Sequence, residues 1–237
     1  ILEANPRASR TMPFVSKVTG NQIIKAGTLL MLGHSLDSIK KTTNYLNSST
    51  NKIAIKKAIF PWSRFPAEDT MLGPEMKATG EVLGIGRSFG VALNKAYAAA
   101  GVEINENEKG IFVSLSDQEK PNFIKIVKTY SDLGFKIYST YGTGEYLKNN
   151  DINSTIVGRA DETFPTSLTI IQDKLISLVI NTPTFANEYT DGWKIRRLSH
   201  ETGVAVVSSV REAEAFLKAF LETTKSFEDM EAIQNVS

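Results

Sequence analysis

From residue 109 onward, short apolar stretches alternate with amphipathic ones, and this alternation constrains the fold more than any other property of the chain. Strand-type stretches fall at 110–115, 136–139, 155–158, 178–181 and 204–207. Helix-type stretches lie between them at 122–133, 144–150, 167–174 and 211–222. Strands joined through helices over short connections predict a parallel sheet covered on both faces, an α/β doubly wound architecture. In such sheets ligands bind outside the carboxyl ends of the strands.

The residues at those ends have a common chemistry. Ser114, Ser116 and Lys120 follow the first strand, and Thr140-Tyr141-Gly142-Thr143 follows the second. Arg159 follows the third, and Asn181 and Thr182 close the fourth. Taken singly, Ser, Thr and Asn are ordinary turn and cap residues. Taken together, cationic, hydroxyl and amide groups along one edge describe an anion pocket suited to phosphate, which helix N-termini would reinforce.

Residues 1–101 show no such alternation. Residues 19–46 read as mostly helical, 52–62 as a strand in which Ile53, Ile55 and Ile59 interleave with lysines, and 88–100 as an Ala-rich helix capped by Gly101. The charged connector 102–109 marks the expected boundary between two units, 1–101 and 110–224, and 225–237 reads as a tail. At the start, Ile1-Leu2-Glu3-Ala4-Asn5 alternates like a strand, so Glu3 and Asn5 would project from one face. A carboxylate and an amide oxygen at that spacing suit Mg²⁺. Arg7 and Arg10 follow within reach, with the side chain best shaped for phosphate.

Other features carry less. A net charge of +1 gives no electrostatic case for nucleic acid or a membrane surface. The absence of cysteine excludes disulfides, thiolate catalysis and Cys-based zinc sites, and fits a cytoplasmic protein. No apolar run approaches the roughly 20 residues of a membrane helix, and the first residues lack the plan of a signal peptide. Gly84-Ile85-Gly86-Arg87-Ser88-Phe89-Gly90 departs from a dinucleotide loop in its third glycine, and Glu81 interrupts a clean buried strand before it, so it reads as a turn and helix start. Glu75 and Glu81 flank Gly80 and read as surface or ion-pair carboxylates. His34 and His200 read as non-catalytic residues in helical, polar surroundings, and Lys52, Lys56 and Lys57 as one solvated strand face. Ile195-Arg196-Arg197, placed just before a short helix, either pairs acids at an interface or joins the anion pocket.

Residues 1 to 224 resemble the carboxy-terminal portion of the carbamoyl-phosphate synthase large subunit. The resemblance rests on Glu3-Ala4-Asn5-Pro6-Arg7-Ala8-Ser9-Arg10-Thr11 with Pro13-Phe14-Val15-Ser16-Lys17, on Leu72-Gly73-Pro74-Glu75-Met76-Lys77-Ala78-Thr79-Gly80-Glu81-Val82, and on Val179-Ile180-Asn181-Thr182 and Ile195-Arg196-Arg197. It implies an incomplete ATP-grasp remnant at 1–101 followed by a methylglyoxal-synthase-like regulatory domain at 110–224. It further implies Glu3 and Asn5 as Mg²⁺ or Mn²⁺ ligands, with Arg7 and Arg10 at the ATP phosphates or substrate. The effector, a nucleotide such as UMP or IMP, is implied at Ser114, Lys120, Thr140, Thr143, Arg159, Asn181 and Thr182. The whole enzyme of that family is an oligomeric ligase of pyrimidine and arginine biosynthesis. It makes carbamoyl phosphate from bicarbonate, two ATP and ammonia from glutamine, which a partner amidotransferase subunit or domain supplies. The fragment alone is expected to be inactive. Arg159 stands where such members often carry lysine, and Tyr141 where histidine is common. Lys57 matches an acidic position that binds ornithine in some members, which implies loss of ornithine activation. Two other readings are a stand-alone phosphate-binding regulatory module and a methylglyoxal-synthase-type lyase with Asp161 as its carboxylate.

Overall fold

The computed structural model describes residues 4, 6–43, 51–65, 68–70, 80–102, 110–162, 165–182 and 190–223. The first part opens with three short helices, α1 (Thr11–Thr19), α2 (Ile23–Met31) and α3 (Leu36–Thr42). The single helical stretch expected over 19–46 is therefore interrupted. Gly20 closes α1 in the left-handed conformation at φ 68°, and Gly33 at φ 90° turns the chain before Ser35 caps α3. His34 lies in that turn, outside any helix.

Strand β1 (Ile53–Ile59) falls where the isoleucine spacing predicts it and pairs antiparallel with β2 (Gly80–Gly86). That second strand corrects the expected turn at Gly84–Gly86, since the turn begins only at Arg87. The glycines are there for helix–strand contact. A Cβ on Gly84 would lie 2.0 Å from the Ala92 carbonyl oxygen and 2.6 Å from the Ala96 nitrogen. Both atoms belong to α4 (Phe89–Ala99), whose Ser88 cap and following Gly101 agree with the sequence.

In the second part, β3 (Gly110–Ser114), α5 (Lys120–Asp132), β4 (Lys136–Ser139), α6 (Tyr141–Lys148), β5 (Thr155–Ile156), α7 (Ser167–Gln172), β6 (Leu178–Asn181), α8 (Asp191–Thr202), β7 (Ala205–Val207) and α9 (Val210–Thr223) follow in order. The five strands form one parallel sheet in the order β5-β4-β3-β6-β7. Alternate residues face opposite sides, as strand geometry requires. Ile111, Val113, Ile137, Leu178, Ile180, Ala205 and Val207 pack against Phe123, Val127, Leu147 and Phe216 from α5, α6 and α9. Phe112, Tyr138 and Val179 pack instead against Ile170, Ile171 and Ile195 from α7 and α8. Helices on both faces confirm the doubly wound fold. The sequence omits α8 as a full helix: Ile195, Arg196 and Arg197 lie inside its 12 residues, not ahead of a later one.

The two parts meet along α4 and α9. Tyr97 stacks edge-on against Phe216, with centroids 4.6 Å apart, and the Gly90 amide donates to Glu222 Oε2 at 2.7 Å. The lysine face of β1 is only partly solvated. Lys56 is exposed and pairs with Glu81 at 3.1 Å, whereas Lys57 is half-buried with its Nζ 4.0 Å from the Tyr97 ring centroid. Burial lowers the Lys57 pKa, and Glu212 opposes that shift.

Candidate functional site

Strand order reverses at β3. The chain moves from β3 outward to β4 and β5, then crosses back to β6 and β7. Connections leaving in opposite directions open a crevice at the carboxyl end of β3, where doubly wound folds bind ligands. Ser114 and Asn181 are register partners on β3 and β6, and Thr140 caps α6 after β4. The topology thus gathers Ser114, Lys120, Thr140, Thr143, Asn181 and Thr182 around one switch point, while Arg159 follows β5 at the sheet edge.

Hydroxyls fasten the loops there. The Leu115 amide donates to Thr143 Oγ1 at 3.0 Å, and the Ser116 amide to Thr182 Oγ1 at 2.8 Å. Thr140 Oγ1 also donates to Thr143 Oγ1, at 3.1 Å. A threonine oxygen that accepts twice keeps its own proton to donate, and Thr143 itself is 1% exposed. Thr140 makes no side-chain capping bond, and the first-turn amides of α6 have no intrahelical acceptors. The Lys120 ammonium stands beside this helix start, 3.8 Å from where a Gly142 Cβ would be. Its side chain is 12% exposed and pairs with Asp117 at 2.6 Å. A cation, a free hydroxyl proton and a helix N-terminus here favour an anion.

Asn181 is anchored from beneath. It is 2% exposed, and Arg196 Nη1 donates to its Oδ1 at 2.7 Å. Because a guanidinium only donates, this contact fixes which amide atom faces Arg196 and leaves Nδ2 toward the Ser114 carbonyl at 3.5 Å. The sequence left open whether the Arg pair meets an acid or the pocket, and Arg196 does both. Its Nε and Nη2 also reach Asp69 at 3.1 and 2.5 Å. The mostly polar sequence of α8 gives no signal for this placement beyond the Arg-Arg pair itself.

The opening residues divide. Glu3 and Asn5 lie outside the described residues, as do Glu75 and most of the 72–82 segment. Arg7 and Arg10 are described and exposed, Arg10 at the N-cap of α1. No group of three or more His, Asp or Glu that could hold a metal occurs among the described residues. Asp161 is exposed in the turn after Arg159, whose amide donates to Glu162.

Cavities of about 390 and 320 Å³ lie away from the crevice, along the seam near Trp62, Gly101, His200 and Glu201. Their polar groups are largely engaged: Glu201 pairs with Arg197 at 2.7 Å, and His200 meets the Trp62 ring with centroids 6.0 Å apart. His200 is therefore half-buried against an aromatic ring, not in the polar surroundings expected. Burial first, then Lys57, Arg197 and Arg196, push its pKa down to about 4. The cation, the hydroxyls and the helix start converge instead at the crevice.

The second part is a five-stranded doubly wound domain, and residues 122–208 match the MGS-like domain family. Along 92–99% of its length the chain is related to the carbamoyl phosphate synthase large chain. It is 39% identical to that of Nostoc sp. over 99% of this chain and 21% of the relative. It is 38% identical to that of Archaeoglobus fulgidus over 95% of this chain and 21% of the relative. The carbamoyl phosphate synthase large chain, C-terminal section, of Aquifex aeolicus is 37% identical over 97% of this chain and 45% of the relative. The chain thus spans from about a fifth to under half of the length of these relatives. No described helix is long and apolar enough to cross a membrane.

Proposed function

We propose that this chain is the carboxy-terminal portion of a carbamoyl-phosphate synthase large subunit and that its crevice binds a phosphate-bearing nucleotide effector. The observation that carries the proposal is the convergence of Lys120, Thr140, Thr143 and Asn181 on the switch point, with the Thr143 proton and the α6 amides unspent. Phosphate sits on the helix start beside Lys120, Thr143 donates to it, and Asn181 and Thr182 border the rest. In the complete enzyme the subunit condenses bicarbonate and glutamine-derived ammonia, with two ATP and an amidotransferase partner. Glu3 and Asn5 supply oxygen ligands to Mg²⁺ or Mn²⁺ there, and Arg7 and Arg10 face the ATP phosphates. Residues 1–101 then form the end of an ATP-grasp unit, joined through 102–109 to the regulatory domain. Support comes from exposed apolar side chains around the turn between α2 and α3: Met31 is 82% exposed, Leu32 71% and Leu36 50%. On this reading the chain alone does not make carbamoyl phosphate.

Isothermal titration with UMP, IMP and inorganic phosphate tests the proposal. Binding by at least one, weakened about tenfold or more by Lys120→Ala, supports it; no binding by any of the three refutes the effector site. Ornithine in the same series is expected not to bind, because Lys57 puts a cation where the resemblance implies an acidic ornithine ligand. Ornithine binding would refute that part. A lyase acting through Asp161 would release methylglyoxal from dihydroxyacetone phosphate, and none is expected.

A further inference from the structure

We propose that Arg196 is a positioning residue that couples the crevice to the Trp62–Asp69 segment, so that ligand binding on one side tightens the other. This rests on the effector reading of the crevice and adds a route by which its occupancy reaches the first part of the chain.

Three observations carry it. The Arg196 side chain is 6% exposed and lies between two partners that belong to different parts of the molecule. On one side it donates to Asn181 Oδ1, and on the other to both oxygens of Asp69. Its neighbour Arg197 reaches the same segment, donating to the Phe65 carbonyl at 2.8 Å. Space for the guanidinium depends on Gly192, where a Cβ would lie 3.1 Å from Arg196 Nη1 and 3.5 Å from Asn181 Oδ1.

A planar guanidinium held on both edges has little freedom to yield. A ligand that draws Asn181 toward the crevice changes the contact on one edge of the Arg196 guanidinium, and the Asp69 pair on its other edge must adjust with it. By linkage the effect runs both ways: loosening Asp69 weakens the ligand by the same factor that the ligand tightens Asp69. Asp69 is not itself among the residues assigned to the crevice, and it bonds to Arg196, so it reports transmission.

The test combines calorimetry with amide hydrogen exchange on the whole chain, using UMP and inorganic phosphate as probes. The Arg64 and Phe65 amides, bonded to Pro61 and Trp62 carbonyls, are the reporters. With wild type, saturating probe is expected to slow their exchange by about fivefold or more. With Asp69→Asn the probe still binds, about fivefold more weakly, and exchange at Arg64 and Phe65 no longer responds. Arg196→Lys keeps the charge but cannot span both partners, and it is expected to lose the response in the same way. If wild type binds the probe and exchange at Arg64 and Phe65 does not change, or if the change persists in both variants, the coupling is refuted alone. If wild type binds neither probe, the crevice reading falls and the coupling falls with it.

Discussion

Thr143 concentrates two roles in one oxygen. It accepts from the Leu115 amide and from Thr140, so it fastens the β3 loop to α6, and on the effector reading its own proton goes to the ligand. Thr143→Val should cost about 1–3 kcal/mol, because a buried amide loses its acceptor. Phosphate binding should vanish, whereas Thr143→Ser should preserve both; urea denaturation and calorimetry check this. His200 makes a separate prediction. Its folded pKa of about 4 lies below its ordinary value of 6.5, so between those values the unfolded chain binds the extra proton. Stability is then fully present above pH 6.5 and is lost as pH falls toward 4, by about 2 kcal/mol between pH 7 and 5. His200→Phe should flatten that dependence in denaturation curves taken at the two pH values, and an unchanged slope would contradict it.

At the scale of elements, the contact between β2 and α4 is the least forgiving. A Cβ at Gly84 meets backbone atoms of Ala92 and Ala96, which cannot rotate away as a side chain can. Gly84→Ala should therefore cost about 3 kcal/mol or more, measurable as a drop in thermal midpoint. The same strand shows where sequence reading stops. The β4 and β6 stretches were legible because buried parallel strands are short apolar runs with helices between them. The Gly80–Gly86 strand was not, because its identity depends on pairing with β1 across a long separation and on a helix pressing against its glycines. The hydroxyl and cationic residues at the carboxyl edge were legible as a set, since fold class alone says which strand ends matter. Arg196 was not assignable, because Asp69 lies far away in the chain and only the folded α8 brings the two together. The division of 19–46 into two helices was missed for a smaller reason: a run of leucines suggests helix on either side of Gly33, and the break is made by one positive φ.

At the scale of the molecule, the two parts share a seam rather than a single tether. Tyr97 on Phe216, Glu222 on the Gly90 amide, and the Arg196 and Arg197 bonds to 65–69 all cross it. A carboxylate at the start of α4 also complements that helix terminus. Glu222→Gln should destabilise the chain by about 1 kcal/mol, with the loss diminished in high salt; salt-independent loss would mean packing, not charge, is what Glu222 supplies. Signals entering at the crevice would thus meet a mechanically continuous body.

The bond between Gly90 and Glu222 spans 132 residues of sequence, and that span has a consequence during synthesis. Translation at roughly 5–20 residues per second separates the emergence of α4 from that of α9 by roughly 7–26 s. For that interval the Tyr97 side of α4 waits without its eventual cover. A nascent-chain protease or chaperone has its opportunity in that interval, and the emergence of α9 ends it.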